Sequence, residues 1–113
     1  MTYYLQRGEI FTYKDQYLAV HPHLHKGLLP EYMLLDFDKH VKEGGVSLED
    51  AFRWLLRYHI LLKPHRTQAS YRCNFRRFFL WIADAVGEQF HDCTDEQGCT
   101  IHYSLDEGIL EWR

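Results

Sequence analysis

The chain is poor in cysteine and in long apolar runs, and both shortages exclude classes of protein. Its three cysteines are an odd number, and the opening MTYYLQRGEI lacks the apolar run of a secretory signal peptide. A disulfide framework is therefore not expected, and a reducing cytoplasm is the expected location. The longest nearly apolar runs, WLLRYHILL and FFLWIADAV, are too short to span a bilayer.

Recognisable catalytic and nucleotide-binding motifs are also missing. The sequence has no phosphate-binding loop, no G-x-G-x-x-G turn and no G-x-S-x-G nucleophile motif. Neighbouring carboxylates such as Asp36 and Asp38 fit a helix surface better than a paired acid and base. We therefore predict a binding protein that is not an enzyme and that needs no cofactor.

The composition is that of a folded domain. Hydrophobic residues make up 46% of the chain and aromatic residues 16%, which excludes a disordered protein and predicts a core rich in rings. No internal repeat, low-complexity tract or linker interrupts the sequence. We therefore expect residues 1–113 to form a single domain.

Turn residues and apolar spacing divide the chain into strands and helices. Residues 2–20 combine β-forming residues with the turn-like segments RGE and KDQ, which predicts a three-stranded meander. Helices are predicted over residues 31–43, 48–63 and 68–86, and a hairpin with strands 99–103 and 109–112 follows. The predicted fold class is α+β, in which a small antiparallel sheet (N-terminal meander plus C-terminal hairpin) packs on about three helices.

Local signals mark the ends of these helices. Pro30 suits the first turn of the first helix, and Ser47 can cap the second helix with its hydroxyl group. Pro64 is expected to end the second helix. Thr67 and Gly87 are expected to cap and close the third.

Apolar side chains at helical spacing predict the buried faces of the second and third helices. The buried stripe of the second is expected to contain Leu48, Ala51, Phe52, Leu55, Tyr58 and Leu62. That of the third is expected to contain Tyr71, Phe75, Phe78, Phe79, Ile82 and Val86. Arg72 flanks this second stripe, whereas Arg76 and Arg77 are expected to point away from it.

Charge is distributed unevenly along the chain. The net charge is −1 over residues 1–46, +4 over residues 47–86 and −6 over residues 87–113. The basic segment is expected to contact nucleic-acid phosphates through Lys63, Arg66, Arg72, Arg76 and Arg77. The same arginines could instead form a solvated face that pairs with the acidic tail of the chain.

Residues 47–87 carry a pattern that resembles the core-binding, SAM-like domain of phage-type tyrosine recombinases. The resemblance lies in one helix, the connector KPHRT, and then Tyr71-Arg72, Arg76-Arg77-Phe78 and Trp81. It implies a segment that clamps DNA. The expected function is thus that of a small protein of phage or mobile-element type, which contacts DNA or a nucleoprotein through the basic front of helix 68–86.

The acidic C-terminal segment supports an alternative function of a different class. It could bind a basic host protein, as an inhibitor of restriction or CRISPR machinery would, or act as an adaptor on another nucleic-acid-handling complex. The residues expected to make this contact are Asp92, Asp95, Glu96, Asp106, Glu107, Glu111 and Trp112. Neither function involves a membrane.

A third alternative is a zinc-stabilised interaction module. The segment HDCTDEQGCTIH contains four side chains of the types that bind zinc: His91, Cys93, Cys99 and His102. Their spacing differs from the usual C-x2–4-C pattern, so the primary expectation is a protein without a metal. The segment HPHLHK places His21, His23 and His25 at alternate positions, but Pro22 and Gly27 predict a loop with surface histidines.

Overall fold

The computed structural model of the chain describes residues 2–24, 26–90, 101–104 and 109–112. Four α-helices dominate these residues: α1 (Glu9–Val20), α2 (Glu31–Lys39), α3 (Leu48–Tyr58) and α4 (His65–Val86). Short 3-10 helices at Lys26–Leu28 and Ile60–Leu62 precede α2 and α4. No helix among the described residues is both long enough and apolar enough to cross a bilayer.

Strand β1 (Tyr4–Leu5) and strand β2 (Val46–Ser47) form a small antiparallel sheet. Tyr4 pairs with Ser47 and Leu5 with Val46, which ties the start of the chain to the start of α3. Gly45, at a φ of 85°, lies so close to the Leu5 carbonyl that an added Cβ would be 2.9 Å from this oxygen. A glycine is required there both for its backbone angle and for this close approach.

The predicted N-terminal meander is wrong, because residues 9–20 form helix α1. Ile10, Tyr13 and Tyr17 recur at intervals of three and four residues, which is the spacing of a helix face, although tyrosine and isoleucine favour strands individually. The segment RGE starts the helix instead of turning a hairpin. Gly8 adopts a left-handed conformation there, and the Glu9 carboxylate accepts the Gln6 N–H at 2.7 Å.

The C-terminal strands, β3 (Ile101–Ser104) and β4 (Ile109–Trp112), pair antiparallel where the sequence predicts a hairpin. Ile101 pairs with Trp112 and Ser104 with Ile109. The turn is predicted at residues 104–108; Ser104 belongs to β3 instead, and residues 105–108 lie outside the described residues. The two sheets are separate, so the prediction of a single sheet packed on about three helices is wrong. The described residues form a mostly helical domain with four α-helices.

The boundaries of α2, α3 and α4 differ in part from those predicted. Helix α2 ends at Lys39, and α3 ends at Tyr58 because the backbone leaves the helical region at His59. Tyr58 and Leu62 are therefore 48% and 76% exposed, although the sequence predicts them to be buried. The Pro64 carbonyl accepts the N–H of Thr67 at 2.8 Å, so α4 starts at His65 and Thr67 is not its cap.

Other predicted features of these helices are confirmed. The Ser47 hydroxyl accepts the Asp50 N–H at 3.2 Å and caps α3. Gly87 closes α4 in a left-handed conformation at a φ of 72°. Pro30 precedes the first residue of α2, where its missing N–H leaves no hydrogen bond unmade.

Helix α4 forms the centre of one hydrophobic core that all four helices share. Phe78 packs against Tyr17 of α1 with ring centroids 5.4 Å apart, and Phe79 packs against Phe52 of α3 at 5.7 Å. Helix α2 adds three buried side chains, Met33, Leu34 and Phe37. Since α4 is covered on several sides, only part of its surface is available to a partner.

Candidate nucleic-acid interface

The five predicted phosphate contacts do not lie on one exposed face. Arg72 is only 1% exposed and Arg76 only 7% exposed, on the same side of α4 as Phe79 and Ala83. The prediction that Arg76 points away from the buried face is therefore wrong. Long arginine stems pack readily against apolar surface, so a helical wheel does not by itself place them outside.

Both buried arginines contact groups within the fold. An Nη atom of Arg72 donates to the Gln68 side-chain oxygen at 3.3 Å, one turn earlier in α4. The Arg76 guanidinium lies over the Phe90 ring, 5.4 Å from its centroid, in a cation–π contact. These positions give Arg72 and Arg76 a role in packing α4 instead of an outward phosphate-binding role.

Arg66 and Arg77 are the exposed arginines of α4. They lie eleven residues apart, which is about three helical turns, so they share one side of the helix at a separation of roughly 16 Å along its axis. Arg77 lines a shallow depression together with Tyr17 and Asn74. Burial raises the pKa of the Tyr17 phenol, and the positive charge of Arg77 partly offsets this increase.

Lys63 precedes α4 and lies between two tyrosine rings. Its ammonium group donates to the Tyr32 hydroxyl at 2.8 Å. The same group lies 5.5 Å from the centroid of the Tyr32 ring and 5.6 Å from that of Tyr71. The hydrogen bond to Tyr32 raises the pKa of Lys63, and these contacts hold its ammonium group in place.

A continuous series of rings extends from Tyr32 across α3. The Tyr32 and His59 ring centroids are 6.1 Å apart, and the His59 and Trp54 centroids are 5.6 Å apart. Trp54 also contacts Tyr58 at 4.8 Å and His40 at 5.2 Å. We call these five residues (Tyr32, His40, Trp54, Tyr58 and His59) the ring series.

Asp36 fixes the histidines of the ring series. One of its carboxylate oxygens lies 2.7 Å from Nε2 of His59, and the other lies 3.8 Å from Nε2 of His40. His40 follows Asp36 by one turn of α2, whereas His59 follows the end of α3. The carboxylate thus fastens α2 to the end of α3 and orients the His59 ring between Tyr32 and Trp54.

Large apolar side chains are exposed around the ring series. Tyr32 is 53% exposed and Tyr58 48% exposed, and Leu35 and Leu62 are exposed on the same two segments. Arg57 lies over the Tyr58 ring at 5.8 Å. Exposed rings and leucines next to cations are typical of a binding surface, because a solvated helix face does not need them.

The charge of this region has one sign over a long stretch of sequence. Residues 51–83 contain seven lysines and arginines and no aspartate or glutamate. Arg72 and Arg76 of this group are buried, and Arg53 forms an ion pair with Asp50 at 3.1 Å. Arg57, Lys63, Arg66 and Arg77 reach the surface as well.

A groove of about 270 Å³ opens at the other end of the ring series. Phe37, Val41 and Val46 supply apolar surface within it, and the rings of His40 and Trp54 also line it. Lys42 and Asp50 contribute a positive and a negative charge to its lining. The side chain of His40 is 59% exposed, whereas Trp54 is half-buried.

The predicted acidic and metal-binding residues cannot be placed in the same way. Residues 91–100 and 105–108 lie outside the described residues, and they include His91, Cys93, Cys99, Asp92, Asp95, Glu96, Asp106 and Glu107. His102, Glu111 and Trp112 belong to β3 and β4, of which the structure describes the backbone. In the described part of the chain, no three His, Cys, Asp or Glu side chains are grouped so that they could hold a metal ion.

The ring series did not enter the sequence-based prediction of the site. Tyr32 belongs to α2, and the fold brings it next to His59, which follows α3 and is more than twenty positions away in the sequence. Tyr58 was assigned to the core because α3 was expected to continue to residue 63. The available sequence signal was the proximity of Trp54, Tyr58 and His59 to Arg57 and Lys63 in a segment without acids.

Comparisons with known proteins identify no relatives of this chain: no family model, no curated protein and no solved structure matches it.

Proposed function

We propose that this chain is a small non-enzymatic nucleic-acid-binding protein, whose phosphate contacts are made by Lys63 and Arg66. The observation that supports this function best is the acid-free segment 51–83, whose exposed cations lie next to exposed rings. The proposal keeps the DNA contact that the resemblance of residues 47–87 to recombinase core-binding domains implies. It moves that contact from the middle of α4 to the connector between α3 and α4.

The geometry of Lys63 suits a phosphate contact. Its ammonium group is held by the Tyr32 hydroxyl at the edge of that ring and by the ring of Tyr71, so little side-chain freedom would be lost on binding. No carboxylate is among its hydrogen-bond partners within the described part of the chain. Arg66 is the second residue of the neighbouring α4, where its exposed guanidinium can bind a second phosphate with two parallel hydrogen bonds.

The buried arginines support the proposal indirectly. Arg72 and Arg76 account for two of the seven cations in the acid-free segment, and their burial makes them part of the framework of α4. A protein that bound nucleic acid through charge alone would bind more tightly with these arginines exposed, since phosphate affinity increases with each cation on the surface. The proposed interface therefore combines a few cations with aromatic surface.

Fluorescence anisotropy of a labelled oligonucleotide tests this function. The affinity of the unmodified chain is expected to fall as salt increases, with a slope of about −0.7 to −0.9 for each phosphate that it neutralises. Lys63→Ala and Arg66→Ala should each weaken binding and reduce this slope by roughly one. Lys14→Ala removes one positive charge from α1, distant in sequence from the connector, and serves as the matched control.

The control separates a local contact from a general effect of net charge. The proposal requires that Lys14→Ala keeps the salt slope of the unmodified chain. If all three variants lost the same affinity, binding would depend on total charge, and the assignment to the connector would be incorrect. If the unmodified chain bound no oligonucleotide at low salt, the proposed function itself would be refuted.

A further inference from the structure

We infer that the bound nucleic acid is single-stranded and that one of its unpaired bases occupies the groove beside Trp54. This inference rests on the proposed function, and it specifies the form of nucleic acid that the surface recognises. It is drawn from the ring series and the groove, which the phosphate contacts at Lys63 and Arg66 do not require.

Aromatic rings stack on the faces of bases, and in a duplex those faces are covered by neighbouring base pairs. Proteins that bind single strands combine a cationic groove for the backbone with aromatic side chains on which successive bases stack. This surface has both components, with Lys63 and Arg66 at one end and Trp54 at the other. The exposed ring of Tyr32 lies between them, and the exposed Tyr58 adjoins Trp54.

The dimensions of the surface match a short single strand. Three successive contacts of 5.5, 6.1 and 5.6 Å link the Lys63 ammonium group to Tyr32, His59 and Trp54. Successive nucleotides of a stacked strand rise about 3.4 Å along the helix axis, and this spacing increases when the strand is extended. The surface therefore covers roughly four nucleotides, at the lower end of the range of about 4–16 for a single-strand-binding module.

The groove fits a single base in size and chemistry. Its volume of about 270 Å³ is just below the range of roughly 300–1,000 Å³ that drug-sized ligands occupy, so it admits one planar ring system. The rings of Trp54 and His40 offer stacking surfaces. Lys42 can donate to a base oxygen or nitrogen, and Asp50 can accept from an exocyclic amino group.

The charges of the groove also favour a base over a phosphate at this end. Lys42 and Asp50 contribute opposite charges to the lining, and Asp50 also pairs with Arg53. Asp36 lies next to His40, so positive and negative charges alternate around the groove instead of forming a cationic phosphate site. The cations at the other end, Lys63 and Arg66, lie in the acid-free segment. The strand is thus expected to place its backbone along the connector and to turn one base toward Trp54.

The test uses three labelled probes of about twelve nucleotides, long enough to cover the site. They are a single strand with all its bases, the duplex of the same sequence, and a single strand of abasic sugar–phosphate units. The first probe is made in deoxyribose and ribose versions, which show whether the chain prefers DNA or RNA, because only RNA has the 2′-hydroxyl group. The single strand with bases is expected to bind the unmodified chain more tightly than either of the other two.

His40→Ala and Trp54→Leu each remove one stacking surface of the groove. His40 is exposed, so its replacement is expected to leave the fold intact, and denaturant unfolding of both variants checks this. Each variant should bind the single strand with bases roughly 5- to 100-fold more weakly, the range for the loss of one stacked base. Their binding of the abasic strand should be unchanged.

The outcomes separate this inference from the proposed function. If the duplex bound as tightly as the single strand, or if the two groove variants affected both single strands equally, the inference alone would fail. If Lys63→Ala and Arg66→Ala left the binding of every probe unchanged, the proposed function would fail as well. A further outcome is that no oligonucleotide binds, whereas an acidic peptide with aromatic residues binds the unmodified chain and binds the Lys63 and Arg66 variants more weakly. The partner would then be a protein, and both the proposed function and this inference would be refuted.

Discussion

Replacing Phe78 by alanine should remove a large part of the stability of the domain. Phe78 is completely buried, and it packs against Tyr17 of α1 and Phe79 of α4 at centroid distances of 5.4 and 5.7 Å. A phenylalanine buries roughly 150–250 Å². At about 25 cal/mol per Å², this burial contributes approximately 4–6 kcal/mol, of which alanine retains the part due to Cβ.

The expected loss is therefore about 3–5 kcal/mol, which includes the cost of the cavity that remains between α1 and α4. Domains of this kind have a total stability of roughly 5–15 kcal/mol, so Phe78→Ala should lower the midpoint of urea unfolding markedly. The cavity adjoins α1, the segment for which strands were predicted. The effect therefore also tests whether residues 9–20 pack as a helix on α4.

Leu62→Ala is the matched control for this experiment. Leu62 is 76% exposed, so its truncation should change the free energy of unfolding by no more than about 0.5 kcal/mol. A loss below about 1 kcal/mol for Phe78→Ala would contradict its assignment to the centre of the core. A loss for Leu62→Ala as large as that for Phe78→Ala would show that α3 continues through residue 62 with this leucine buried.

Three further stability predictions follow from the structure. Ser47→Ala removes the hydroxyl that caps α3 and should cost about 1 kcal/mol in urea unfolding; an unchanged midpoint would exclude the cap. Gly45→Ala should lower the free energy of unfolding more than Gly44→Ala. Both glycines have a positive φ, but only at Gly45 would the added Cβ meet the Leu5 carbonyl. Equal losses of stability would argue against the β1–β2 pairing. Burial raises the pKa of Tyr17 above its ordinary value of 10.0, so its contribution to stability is complete below pH 10.0 and is lost as the pH rises above it. Tyr17→Phe should reduce this alkaline loss in unfolding measured as a function of pH, and an identical pH dependence would refute the burial of the phenol.

Much of the helical part of the fold could be predicted from the sequence, because proline, glycine and serine mark the helix ends. Pro30, Ser47 and Gly87 lie at the ends that local chemistry assigns to them. The sequence does not predict helix α1, because its tyrosines and isoleucine individually favour strands. Only their spacing of three and four residues indicates a helix. The end of α3 at Tyr58 was missed because the residues that follow are apolar and have no local helix-breaking residue before Pro64.

Less of the candidate site could be predicted, because it depends on contacts between distant segments. The excess of positive charge between residues 47 and 86 predicts a contact in this region, and Arg66 and Arg77 are exposed there. The burial of Arg72 and Arg76 follows from the way α4 packs and has no local signal in the sequence. The ring series likewise forms only when α2 packs against α3.

The most direct test of the central claim is an NMR titration of the isotope-labelled chain with a single-stranded oligonucleotide. The proposed interface predicts that the largest amide shifts occur at residues 57–66, at Tyr32 and around Trp54. Helix α1 and residues 72–76 of α4 should change little, because α1 contributes no residue to the proposed interface and Arg72 and Arg76 are buried. Shifts concentrated in α1, or spread evenly over every basic residue of the chain, would contradict the proposed interface.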